Sequence, residues 1–331
     1  MKKLISSLLL IFFLQNFTFG NIAQPGMWQA GGMGNFSLLY AQDSSAFQKI
    51  QMINERVSVL LHPGFAIVKG EYWMKNDTDS TLTIKTGYPI NSSAESNSRT
   101  LMQISFDELY GLKVLVNDME TPLLKEQKDD NWYVWNNTFS KNATTKIVVY
   151  FLMNTNQAQV SQGYTKDYSN GFVYLLETGA IWKQPILKGE IRIQAKDDLR
   201  IKNIRGAFPQ DFFNINSSQK ILQGQFTNLS PVAENNIVIS YGDQLNNFDF
   251  KKILTQQTKY FSEVDKLSNL DLGALEFTPH HFDDPFEIPS FDGIRPTGLF
   301  SWITLIFYFI IALFSALVLF FTYKRFFKTK T

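Results

Sequence analysis

The 331-residue chain has no cysteine, only three histidines, and a formal net charge of +1 from 31 basic and 30 acidic side chains. Without cysteine there is no disulfide, no thiolate metal site and no cysteine nucleophile. Histidine this sparse leaves almost no material for a histidine-based triad; His62 stands beside Pro63 in a turn, and no Gly-x-Ser-x-Gly elbow is present. Balanced charge creates no global field for nucleic acid, so no nucleic-acid partner is expected. Gly31-Gly32-Met33-Gly34 lacks the Gly-Lys-Ser/Thr ending and the preceding strand of a phosphate loop, and reads as part of a flexible lead-in. Nothing in the sequence calls for a cofactor.

What is present is an apolar run. Leu299 to Phe321 carries no charge, and at a rise of 1.5 Å per residue it is long enough to cross a hydrocarbon core of roughly 30 Å. The sequence therefore predicts a transmembrane helix over 299–322, with Trp302 and Tyr323 at its ends and a basic cytoplasmic tail, 323–331, holding Lys324, Arg325, Lys328 and Lys330. Met1-Lys2-Lys3, the short apolar run Leu4 to Leu14 and the small residues Thr18 and Gly20 predict a signal peptide over 1–20. The expected topology is single-pass, with the segment up to about Gly298 outside the cytoplasm, in the periplasm or on the cell exterior. The lipid bilayer is then a partner of the C-terminal helix. An exported chain without cysteine suits a bacterial envelope.

Between Ile50 and Tyr241 short runs of alternating apolar and polar residues are bounded by Gly, Asn, Asp and Pro, the pattern of half-buried antiparallel strands. The fold class expected is mainly β: one or two antiparallel β-sandwich-like domains, a short helical and stalk segment and the membrane helix. After a lead-in over 21–45, a first β domain spans 46–160 and a second 161–245. Asn117-Asp118 marks a hairpin, since both residues tolerate left-handed backbone angles. Gly87-Tyr88-Pro89 echoes Gly206-Ala207-Phe208-Pro209, which fits either a duplication or chance likeness between strand ends. Residues 246–298 read as one helix within Phe248 to Leu270, then an extended stalk rich in Pro, Asp and Phe.

Ala30-Gly31-Gly32, then Ile50-x-Met52-x-x-Glu55-x-Val57-x-Val59, Tyr72 with Asn76-Asp77, Tyr88-Pro89, and Tyr174-x-Leu176-x-Thr178-Gly179-x-x-Trp182-x-x-Pro185-Ile186 cover most of the exported part. In these motifs the chain resembles an uncharacterised family of exported bacterial proteins, a domain of unknown function. The resemblance implies export and a β-rich fold, and implies no chemistry.

Trp132-Tyr133-x-Trp135 on a strand puts Tyr133 and Trp135 on one face and Trp132 and Val134 on the other. Such a strand is either central to the core or a stacking platform for a glycan or protein partner, and Trp182 carries the same ambiguity. Trp132, Tyr133, Trp135 and Trp182 are the candidate binding residues. His280-His281-Phe282-Asp283-Asp284 holds metal-ligand types, but neighbours on an extended chain point in opposite directions, so His280, His281 and Asp283 are poor candidates for a metal site and none is predicted. Glu55 is a candidate acid without an identified partner. Arg295-Pro296-Thr297-Gly298 fails the Leu-Pro-x-Thr-Gly pattern of a wall-sorting signal. No catalytic residue is singled out. The function expected is a membrane-anchored, non-enzymatic binding or envelope-complex module with an envelope protein or glycan as partner; the alternative is an exported hydrolase using acidic residues.

Overall fold

The computed structural model describes residues 26–28, 36–38, 44–89, 92–95, 102–106, 109–124, 132–162, 165–285 and 306–311. The chain divides into a compact unit over 1–287 and a second over 288–331. The segment predicted as a signal peptide lies outside the described residues, as does most of the apolar run, of which 306–311 is helical. Among the described residues, no helix is long and apolar enough to cross a membrane.

The first unit is mainly β, as the alternation predicts. Its strands include β1 (Ile50–His62), β2 (Phe65–Asn76), β3 (Leu82–Pro89), β4 (Leu109–Val116), β5 (Met119–Glu120), β6 (Trp132–Phe139), β7 (Ala143–Met153), β8 (Ser169–Tyr174), β9 (Ile186–Ala195), β10 (Ile204–Phe208), β11 (Phe213–Asn216), β12 (Ile221–Leu229), β13 (Ile237–Asp243) and β14 (Thr278–Pro279). Two helices, α1 (Phe250–Leu254) and α2 (Gln257–Ser268), follow β13 where the sequence predicts one. Nine strands form one sheet in the order β14-β11-β12-β9-β1-β2-β7-β4-β5; β8-β13-β10 and β3-β6 form smaller sheets. The hairpin at Asn117 and Asp118 is present, both with positive φ.

Three expectations need correction. The large sheet draws strands from both 46–160 and 161–245, so the division at 160 does not separate two sheets. The join is β1 with β9, Val57 opposite Ile191, and it runs parallel rather than antiparallel. Residues 275–285 are not a free stalk: β14 pairs with β11, Phe282 is buried against Phe213, and the Ala207 N–H donates to the Asp283 carbonyl at 3.1 Å. These anchors fall at irregular intervals, which is why no period announced them.

The alternation decides which side of the large sheet faces which core. Val57, Val59 and Leu61 of β1, Ala66 and Val68 of β2, Ile147, Val149 and Phe151 of β7, and Ile191 and Ile193 of β9 belong to the main core, with Phe172, Val173, Ile237 and Ile239 of the three-stranded sheet. The alternate residues Leu60, Phe65, Ile67, Leu152 and Ile221 form a second core with Phe250, Phe261, Val264 and Leu267 of the helices. The i, i+3 spacing of Phe261, Val264 and Leu267 gives α2 one apolar stripe to lay on the sheet. A bulge between Met52 and Asn54 shifts the register of β1 by one residue. Met52 and Glu55 therefore both face the main core although their parity differs.

Candidate functional site

Trp135 and Trp182 turn inward and have no exposed surface. Trp182 packs between Phe47, at 4.6 Å between ring centroids, and Phe139, at 6.0 Å. Tyr133 is half-buried, its hydroxyl 3.4 Å from the Leu109 carbonyl. Trp132 opens β6 opposite Pro89. Trp135 and Trp182, without exposed surface, contribute burial and offer no platform for a ligand. His280 and His281 are exposed; His281 lies 2.6 Å from Asp211, and His280 packs on Phe282. Among the described residues, no group of three or more His, Cys, Asp or Glu side chains comes together to hold a metal.

Glu55 has partners that its sequence neighbourhood does not reveal. Its carboxylate accepts from the Tyr174 hydroxyl at 2.9 Å, and that hydroxyl lies 2.8 Å from the Tyr72 hydroxyl. Tyr88 belongs to the same fully buried group, and burial raises all three phenols, with the Glu55 charge adding to the effect. Wholly enclosed, this network ties β1, β2, β3 and β8 together; it has no opening to a substrate.

The face under α2 is different in kind. Lys69 pairs with Asp265 at 2.8 Å and with Glu71 at 3.5 Å, Lys146 reaches Glu71 at 3.1 Å, and Ser268 donates a hydroxyl to Glu71. Burial works against ionising Glu71, but the Ser268 hydrogen bond and the two lysines outweigh it and hold its pKa below the ordinary carboxylate value. Glu190 behaves likewise: burial opposes the charge, while Arg192, Gln223 and Arg56 depress the pKa. Arg192 also donates to the carbonyls of Leu267, Ser268 and Leu270 at 3.3, 3.0 and 2.8 Å. It thereby caps the C-terminus of α2, where carbonyls lack partners and a cation is favoured.

At the end of this face lies an open cleft of about 600 Å³ between the sheet and α2, whose lining includes His62, Phe65, Asp197, Tyr260 and Glu263. The turn His62-Pro63-Gly64 ends β1 and starts β2, with Gly64 at φ +87°, a backbone conformation that glycine adopts without strain. It leaves His62 stacked on Phe65 at 4.5 Å, with Tyr260 of α2 edge-on at 5.7 Å. His62 is 4% exposed. Its Nδ1 lies 2.7 Å from a carboxylate oxygen of Asp197. An ionised carboxylate only accepts, so Nδ1 carries the hydrogen and Nε2 is left with its lone pair. Nε2 is buried and has no hydrogen-bond partner among the described residues. Burial lowers the His62 pKa against the opposing pull of Asp197, so the ring is neutral at neutral pH. The sequence shows the turn at His62 but not this site, because Asp197 lies 135 residues away.

No protein-family model and no curated protein matches the chain. Among solved structures, it is similar to a Legionella pneumophila protein provisionally described as nutrient binding, at 12% identity and a TM-score of 0.41, over 78% of this chain and 81% of that one. It is also similar to native leukotriene A4 hydrolase of Saccharomyces cerevisiae, at 10% identity and a TM-score of 0.33, over 59% of this chain but only 29% of the hydrolase.

Proposed function

We propose that the chain is an exported, membrane-anchored binding module of a bacterial envelope, non-enzymatic, with a β-sandwich-like body that takes a small polar ligand or glycan in the His62 cleft. One observation carries the binding reading: an open cleft of about 600 Å³ between the sheet and α2 is lined by Gln194, Lys196, Gln219, Lys259 and Glu263 around the His62–Asp197 pair. The size lies within the range of small-molecule sites. The main core, packed between the large and three-stranded sheets, supports the sandwich-like description. Export and anchoring rest on the apolar runs at Leu4 to Leu14 and Leu299 to Phe321 with their basic flanks, and are in keeping with the resemblance to exported bacterial proteins.

The alternative, a hydrolase working with acidic residues, requires a carboxyl group that stays protonated to act as acid. Glu71 and Glu190 are pulled the other way by their lysine and arginine partners. The test is to incubate the full chain, purified in mild detergent, with small molecules and glycans extracted from cell envelopes and to analyse what is retained and what is released. The binding reading predicts a ligand retained and recovered chemically unchanged, and lost from a His62→Gln variant that melts normally. Conversion of the added material without retention would establish the hydrolase reading instead.

A further inference from the structure

The two ends of α2 are fastened to the large sheet by different chemistry. At the C-terminal end the contacts are ionic: Lys69 pairs with Asp265, the Ser268 hydroxyl donates to Glu71, and Arg192 donates to the last carbonyls. At the N-terminal end they are aromatic. Tyr260 meets Phe65 at 5.2 Å and His62 at 5.7 Å between ring centroids, edge-on to both. Phe261 beside it is buried and packs on Tyr150. Of the side chains in that aromatic contact, the imidazole is the one whose charge changes between pH 5 and 8.

The closed arrangement suits only the neutral ring. Protonation turns Nε2 into a charged N–H donor, enclosed and still without a hydrogen-bond partner among the described residues, and an unpaired buried donor is destabilising. Of the two rings against His62, Phe65 belongs to β2, whereas Tyr260 moves with α2, so lifting the helix opens the imidazole to water. Around the ring, burial disfavours the charge most, Asp197 and Glu263 favour it, and Lys196 opposes it; the balance leaves the pKa below 6.5. Lys259 and Lys266 of α2 line the same cleft, and the Tyr241 hydroxyl of β13 donates to the His62 carbonyl at 3.1 Å. A form in which water reaches the ring therefore takes up the proton first, and opening gains as pH falls from about 6.5 through the closed-form value. Glu71, whose pKa lies below 4.5, stays ionised over that range and keeps the other end of the helix fastened. We propose that the N-terminal half of α2 is an acid-released flap: protonation of His62 lifts Tyr260 and Phe261 off the sheet, and the helix pivots on its ionic fastening at Asp265 and Ser268.

Hydrogen exchange read residue by residue on the full-length protein in mild detergent, at pH 7.5 and pH 5.5 and corrected for the intrinsic pH dependence of amide exchange, tests it. Protection over 257–263 is expected to fall severalfold at the lower pH, while 264–268 and the β7 residues 147–151 keep theirs. In His62→Gln, which has no imidazole to protonate, protection over 257–263 is expected to be the same at both pH values. Glu263→Gln withdraws a carboxylate that favours the charged ring in place, so its loss between the two pH values is expected to exceed that of the unsubstituted protein. This second variant serves as the test should His62→Gln melt abnormally. Protection over 257–263 that does not change with pH would overturn the proposal, as would a loss that persists in a normally melting His62→Gln or is no larger in Glu263→Gln. Equal loss over 264–268 or 147–151 would overturn it too, because acid would then be acting on the whole helix or the whole fold.

Discussion

His62 shows how a single side chain records its environment. Its pKa in the folded protein is depressed below the ordinary 6.5 by burial. The unfolded chain therefore binds the proton first as pH falls, so stability is complete above about 6.5 and declines as pH drops through the folded value. Burial sets the depth of that loss, with Asp197 and Glu263 opposing it and Lys196 adding to it; Lys259, Lys266 and Tyr260 face the same cleft. Thermal melts from pH 7.5 downward are expected to show a decline beginning near 6.5 that His62→Gln removes. Glu71 and Glu190, with pKa values below the ordinary 4.5, lose their contribution only at lower pH, which separates the two windows. At Trp182, fully buried against Phe47 and Phe139, replacement by alanine is expected to cost about 3–5 kcal/mol by denaturant titration. The sequence gives these aromatics their apolar character but not their side of the surface, because both faces of β6 carry large rings.

At the scale of elements, strands were legible and partners were not. Alternation over Val57 to Leu60, Ile147 to Tyr150 and Gly189 to Ala195 identifies β1, β7 and β9 directly. Their pairing is another matter: β1 and β9 lie more than a hundred residues apart, and nothing in an alternating strand names its neighbour. The segment after α2 escapes the sequence pattern for a related reason, since β14, Phe282 and the Asp283 carbonyl anchor it one residue at a time. A chain ending at Gly273 is accordingly expected to melt at a lower temperature than one ending at Glu287. The same docking can be loosened from the other side. A Cβ at Gly206 would sit 2.6 Å from the Pro285 backbone, so Gly206→Ala is expected to speed limited proteolysis within 278–287. Unchanged cleavage in that variant would mean the segment is not held against β10.

For the molecule, the consequence of a sheet shared between 46–160 and 161–245 is cooperativity. Both halves supply strands to one sheet and residues to one main core, so the first unit is expected to unfold in a single transition, with coincident midpoints by circular dichroism and tryptophan fluorescence. Two resolved transitions would restore the division at 160. The β class could be read from periodicity; the cleft could not, because it is assembled from the end of β1, the turn after β9 and α2. Hydrogen exchange on the full-length protein, with and without glycans extracted from cell envelopes, tests the central claim most directly. The account predicts slowed exchange in 194–197 and 257–270 with 132–139 unchanged. Protection confined to 132–139, or anywhere else while the cleft segments exchange as before, would contradict it.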